Sequence, residues 1–162
     1  MATIPIRVSR RSGPAGATPI ATGERLIASY GCRELIEMDV VDILQTDINQ
    51  VGGVSGLRKV SATANVSSIS MGPHACEGPI GGLATIHVDA AMPNFVVQEI
   101  CGQVKPGPAD KIWEEWFGFP AMRMVDGRFP LSDKPGTGIR VIRSEPCEIS
   151  VRRHAADGSS VP

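Results

Sequence analysis

Four short apolar runs, each closed by a side chain suited to acid–base or metal chemistry, recur at nearly constant spacing through the middle of the chain. Pro19-Ile20-Ala21-Thr22 ends at Gly23-Glu24, and the β-branched-rich run over 40–45 ends at Asp47. Ser68-Ile69-Ser70-Met71 ends at Gly72-Pro73-His74, and Phe95-Val96-Val97-Gln98 ends at Glu99. All four have strand length. Between them the pattern predicts helices over 25–38, over 54–65 after Gly52-Gly53, and over 79–92 with Pro79 at the first helical position.

The closing residues stand 23, 27 and 25 positions apart, about the length of one strand, one helix and two short loops. The chain therefore reads as α/β, built from about four βα units. Alternating strands and helices, with nearly continuous apolar strands, imply a parallel sheet covered by helices. Right-handed crossovers then put every strand C-terminus on one rim. Glu24, Asp47, His74 and Glu99 are expected to converge there. A closed barrel uses that whole rim as its active face, whereas an open doubly wound sheet binds ligand only at a switch point, so four consecutive rim residues favour the barrel.

Composition narrows the function classes. With 16 basic and 17 acidic side chains in 162 residues and a pI near 6.3, the chain lacks the basic surface with which nucleic-acid binders neutralise phosphates. No apolar run approaches the roughly 18 residues of a membrane-spanning helix. Cys32, Cys76, Cys101 and Cys147 include no C-x-x-C pair, so neither a zinc site nor a disulfide framework is indicated, and reduced thiols in a cytoplasmic protein are expected. Residues 1–17 carry Arg7, Arg10 and Arg11 without an acid, but Pro5, Pro14 and Gly16 break an amphipathic helix, so a flexible leader is expected there. The period stops near Gly102. Lys105-Pro106-Gly107-Pro108 signals a linker, and Asp126-Gly127 and Lys134-Pro135-Gly136 signal turns. Trp113, Trp116, Phe117, Phe119 and Phe129 cluster in this irregular tail, which favours packing on another surface over holding a cofactor. Residues 140–162 carry no interpretable motif and are expected to be disordered.

The ordered blocks Thr18-Pro19-Ile20-Ala21-Thr22-Gly23-Glu24-Arg25-Leu26, Asp42-Ile43-Leu44-Gln45-Thr46-Asp47 with Gly52-Gly53, Gly72-Pro73-His74 with Gly78-Pro79, and Pro93-Asn94-Phe95-Val96-Val97-Gln98-Glu99 carry a resemblance. With Asp133-Lys134-Pro135-Gly136-Thr137-Gly138 as a closing segment, residues 18–139 resemble the C-terminal portion of the mandelate racemase and muconate lactonising group of the enolase superfamily. Among these, the chain looks most like the galactonate dehydratase-like sugar-acid dehydratases. The resemblance implies the C-terminal half of a (β/α)8 barrel, with residues 18–101 supplying strands five to eight and 102–139 a tail that packs on the capping domain. By the family pattern Glu24 is one of three carboxylates holding Mg²⁺, the other two lying on strands upstream. Asp47 and His74 correspond to a catalytic dyad, and Glu99 to an acid contacting substrate or intermediate. Thr46 stands where proline is frequent and Gln50 where many dehydratases have histidine.

Such a rim removes a proton from the carbon beside a carboxylate, a weak carbon acid whose enolate a divalent cation stabilises as a Lewis acid. Mg²⁺ favours several carboxylate oxygens in octahedral array, so Glu24 alone would bind it weakly. Asp47 hydrogen-bonded to one ring nitrogen would fix the tautomer of His74, leaving the other to deliver a proton to a departing hydroxyl. Without that pairing Asp47 reads as an Asx-turn residue before Asn49, Glu24 as a helix N-terminal acid, and Glu99 as a solvated strand end. His87 reads as structural, within a helix. The expectation is a fragment of a Mg²⁺-dependent sugar-acid dehydratase, inactive alone and acting on a small sugar acid. The alternatives are a non-catalytic half-barrel that associates with itself or with a complementary N-terminal portion, and a racemase or epimerase of the same superfamily.

Overall fold

The computed structural model describes residues 18–76, 78–100, 115 and 124–139. The expected leader, the linker, Trp113, Trp116, Phe117, Phe119, Cys101, Cys147 and the stretch 140–162 lie outside the described residues. In chain order the elements are β1 (Ala21–Thr22), α1 (Ala28–Gly31), α2 (Arg33–Glu37), β2 (Ile43–Leu44), α3 (Gly53–Val66), β3 (Ser70–Met71) and α4 (Pro79–Asp89).

The sheet is parallel and runs in sequence order, β1-β2-β3. A parallel bridge between Met71 and Phe95 sets the fourth apolar run beside β3. Backbone bonds extend the ladder past the short strands. Gln45 N–H donates to Thr22 O at 2.8 Å, Gly72 N–H to Leu44 O at 3.2 Å, His74 N–H to Thr46 O at 3.1 Å and Val96 N–H to Met71 O at 3.0 Å. Three of the four sequence-predicted strands thus lie in the sheet as two-residue strands pointing the same way, while the fourth run meets it only through the isolated bridge at Phe95.

The two faces of the sheet differ. Leu44 and Met71, in register with each other, are fully buried. They join a core with Leu57, Val60 and Ala64 of α3, and with Val88 and Met92 at the end of α4. Leu57, Val60, Ser61 and Ala64 recur at the spacing of one helix face, which is why α3 packs as it does. The one polar member of that stripe is satisfied: Ser61 Oγ donates to Asn94 Oδ1 at 2.8 Å, and Asn94 Nδ2 donates to Ile69 O at 2.8 Å. This clamp ties the turn before Phe95 to both α3 and β3.

The helix expected over 25–38 is corrected by the structure. It begins at Ala28, whose φ of +57° cannot continue a right-handed helix toward the N-terminus, and it divides at Cys32 into two short pieces. Leu26 instead closes a turn, its N–H donating to Gly23 O at 3.1 Å. α3 matches its expected span to within a residue at each end, while α4 stops at Asp89. In the tail, Asp126 and Gly127 both have positive φ and form a tight turn bridged by Val125 and Arg128. Phe129 and Ile139 rest against Leu83 and Ile86 of α4. Among the described residues no helix is long and apolar enough to cross a membrane.

Two predictions follow from burial. Thr46 is completely buried, and its Oγ1 has no hydrogen-bond partner. Thr46→Val removes that unpaired group at nearly constant shape and is expected to raise stability by about 1 kcal/mol in urea unfolding. Burial also pushes the Cys32 thiol up from 9.0 to about 11. The folded state therefore keeps its proton after the unfolded chain has lost it, so this stability is complete below pH 9 and fades as pH rises toward about 11. Unfolding free energy is expected to fall through this window by up to roughly 1.4 kcal/mol per pH unit, and Cys32→Ala to remove that share of the slope.

Candidate acid–base site

The site follows from one register. Ile43 lies opposite Ser70, Leu44 opposite Met71, and Asp47 opposite His74, so β2 and β3 keep a constant offset from the middle of the sheet to its C-terminal rim. Because side chains alternate along a strand, Ile43, Gln45 and Asp47 share the face turned away from the helices, as do Ser70, Gly72 and His74. His74 Nδ1 stands 3.0 Å from Asp47 Oδ2. A carboxylate only accepts, so Nδ1 carries the proton in this bond and Nε2 is turned to the other side of the ring. The side chains of His74 and Asp47 are 16% and 10% exposed. Asp47 Oδ1 accepts the Asn49 N–H at 2.7 Å. The Asx turn and the dyad read from the sequence as alternatives therefore coexist, one on each carboxylate oxygen.

Glu24 reaches the same imidazole by breaking its register. Ala21 and Thr22 pair with Ile43 and Leu44, so strict continuation would set Glu24 against Thr46, on the side facing the helices. Gly23 lies between, with φ +139°, and a Cβ there would stand 3.2 Å from Gln45 N. Only glycine accepts both conditions, and it turns the next residue to the opposite face. Glu24 Oε2 then lies 3.4 Å from His74 Nε2. Its other oxygen lies 3.4 Å from Arg25 Nε, a surface pair with side chains 49% and 81% exposed that contributes little.

Glu99 is anchored by its backbone N–H, which donates to Pro73 O at 3.3 Å. Its Oε2 accepts from Gln45 Nε2 at 2.7 Å. The four expected residues thus occupy one rim in two contacts, a Glu24–His74–Asp47 chain and a Gln45–Glu99 pair. Sequence reading assigned no role to Gln45. The signal for it was its position two residues before Asp47, which on an alternating strand means the same face. His87 sits in the last turn of α4, where a basic side chain complements the helix dipole.

The described residues do not fit Mg²⁺ by themselves. Among them no group of three His, Cys, Asp or Glu side chains is placed to hold a metal ion, and Glu24 is a single, half-exposed carboxylate facing a cation on one side and an imidazole on the other.

The parallel α/β sheet thus sets an imidazole between two carboxylates at its C-terminal rim. A family profile described as enolase C-terminal domain-like matches residues 6–145, and the chain belongs to that family. It is 33% identical over 125 residues to a D-galactonate dehydratase family member of Streptomyces bingchenggensis, covering 76% of this chain and 29% of the relative. It is 34% identical over 124 residues to a D-gluconate/D-galactonate dehydratase of Picrophilus torridus, covering 75% and 30%. The chain therefore spans about three tenths of the length of these curated relatives. A solved mandelate racemase/muconate lactonizing enzyme-like protein from Rubrobacter xylanophilus superposes with a TM-score of 0.66 at 30% identity, covering 79% of this chain and 32% of that one. An enolase from Agrobacterium radiobacter, with Na and L-malate bound, gives 0.65 at 25% identity, covering 88% and 40%.

Removing the Asp47 carboxylate should release the tautomer of His74. In Asp47→Ala, side-chain ¹⁵N spectra are expected to shift from a proton held on Nδ1 toward one held on Nε2. Stability should drop by roughly 1–3 kcal/mol, because the Asn49 N–H loses its charged acceptor as well.

Proposed function

We propose that this chain is the proton-delivering half of a sugar-acid dehydratase site, its four parallel runs forming half of a (β/α)8 barrel. The half-barrel reading is supported by the sequence-ordered parallel pairing and by the functional side chains gathering at one end of it. The dehydratase reading is supported by the names of the two curated relatives, and the substrate class it brings is a small aldonic acid.

The observation that carries the chemistry is the 3.0 Å contact between His74 Nδ1 and Asp47 Oδ2. It fixes the ring so that Nε2 meets a ligand at the mouth. In the reaction, a base outside the described residues takes the proton from the carbon beside the substrate carboxylate. His74, carrying for this step a second proton on Nε2 besides the one that Asp47 holds on Nδ1, gives the Nε2 proton to the hydroxyl on the next carbon, the C–O bond breaks, and water leaves. The enol that remains becomes a 2-oxo-3-deoxy acid. Asp47 holds the ring through this transfer, and Glu99 contacts the substrate chain. Glu24 is the residue assigned to a Mg²⁺ shared with carboxylates outside the described residues, so the chain alone is expected to show no tight Mg²⁺ binding in calorimetry.

Purified chain with Mg²⁺ and a panel of aldonic acids is expected to give no dehydrated product. Adding the remainder of the Picrophilus torridus dehydratase in trans should restore turnover, and His74→Ala in the same complex should lower it by about 10²-fold or more. Turnover by the chain alone, or a restored activity indifferent to His74→Ala, overturns the reading.

A second reading has its own observation. Val97 is 55% exposed and Ile43 only partly buried on the sheet face turned away from the helices, where a closed barrel would have its interior. A half-barrel exposing such a face is expected to associate with a second copy or a complementary portion. Sedimentation at micromolar concentration distinguishes this from a folded monomer.

A further inference from the structure

We infer that Gln45 is a positioning residue, whose carboxamide crosses over Gly72 to hold the Glu99 carboxylate at the rim. The inference rests on the reading that Glu99 faces substrate, and it adds a residue to which neither the sequence motifs nor the dyad gives a role.

β2 and β3 hold the offset that sets Ile43 opposite Ser70 and Asp47 opposite His74, so the residue opposite Gln45 is Gly72. At this level β3 presents no side chain to the face that carries the site. Adjacent parallel strands lie roughly 4.8 Å apart, and a side chain on β2 that touches one beyond β3 must pass over the strand between them. A Cβ on Gly72 would stand 2.9 Å from Ile43 Cγ2 and 3.3 Å from Val97 Cγ1. Side chains from β2 and from the fourth run therefore already close over this glycine.

The next layer toward the rim repeats the arrangement with polar groups. Gln45 lies two residues after Ile43, and Glu99 two after Val97, and here Nε2 donates to Oε2 at 2.7 Å. The bond spans 54 positions of sequence. Both ends have fixed backbones, because Gln45 N–H donates to Thr22 O and Glu99 N–H to Pro73 O. A neutral donor is the appropriate partner for this carboxylate: it forms a charge-assisted bond to one oxygen, leaves the other for a substrate hydroxyl, and adds no charge to the mouth. A lysine at the same place would neutralise the acid, and a leucine would leave it to rotate. Glycine at 72 is required by the Ile43 and Val97 side chains that close over it, since Gly72 has no positive φ to explain it.

The test uses the complete 162-residue chain without substrate, so failure of the dehydratase assay leaves its outcome intact. Three-bond couplings from the Glu99 backbone N and C′ to its Cγ report the χ1 wells that the side chain visits. One well is expected in the native chain. Gln45→Leu, and Gln45→Met should the first variant fail to fold, are expected to lose the single well and show averaged couplings, with dispersed amide spectra confirming the fold. Exchanging donor and acceptor, Gln45→Glu with Glu99→Gln, restores the bond in the opposite sense and should restore one well at residue 99, which a merely structural role for Gln45 would not do. Averaged couplings in the native chain, a single well surviving in the folded Gln45→Leu or Gln45→Met variant, or an exchange that fails to restore it, each overturns the proposal.

Discussion

The parallel register between β2 and β3 is the constraint on which the site depends. Ile43 with Ser70, Leu44 with Met71, and Asp47 with His74 are successive readings of one alignment. Shifting it by a single residue would put His74 against Thr46 or Ile48, and the imidazole would lose its carboxylate. What prevents the shift is the opposite face, where Leu44 and Met71 are fully buried against α3. Packing on one side of the sheet thus fixes a hydrogen bond on the other, and the chemical pair inherits the rigidity of the core.

Departures from that register matter as much as the register itself. β1 and the fourth run are not aligned with their neighbours in the way that the spacings of the functional residues would require. Glu24 reaches His74 because Gly23 interrupts the alternation of β1. Glu99 follows an irregular stretch after the single bridge at Phe95 and is held by Gln45 in place of the dyad. The central pair is therefore set by a regular ladder, and the two flanking acids by local breaks.

This division explains what was legible in the sequence. Periodicity counts residues, and the recurrence of Glu24, Asp47, His74 and Glu99 was enough to recover three parallel strands and the helices α3 and α4 between and after them. The buried stripe of α3, through Leu57, Val60, Ser61 and Ala64, was legible for the same reason. The face on which each polar residue stands was not. The spacing from Glu24 to Asp47 looks like the other spacings, yet the paired positions show it to be one residue out of register, and the φ of Gly23 that compensates has no signature beyond the glycine itself. The predicted helix over 25–38 failed because Ala28 adopts a positive φ that its residue type does not announce. Gln45 escaped notice because its partner lies 54 positions away in sequence.

The imbalance of the rim is then a consequence of construction. Every acid that the described residues bring to the mouth is already engaged: Asp47 by His74 and the Asn49 N–H, Glu99 by Gln45, and Glu24 by His74 on one side and Arg25 on the other. A divalent cation needs several oxygens whose charge is not otherwise spent, whereas a proton-transfer group needs its neighbours committed so that its ring cannot turn. The described residues satisfy the second requirement and not the first. The described rim holds an imidazole between two carboxylates without forming a metal group, because contacts between adjacent strands suffice for the first whereas a metal needs oxygens converging from several directions.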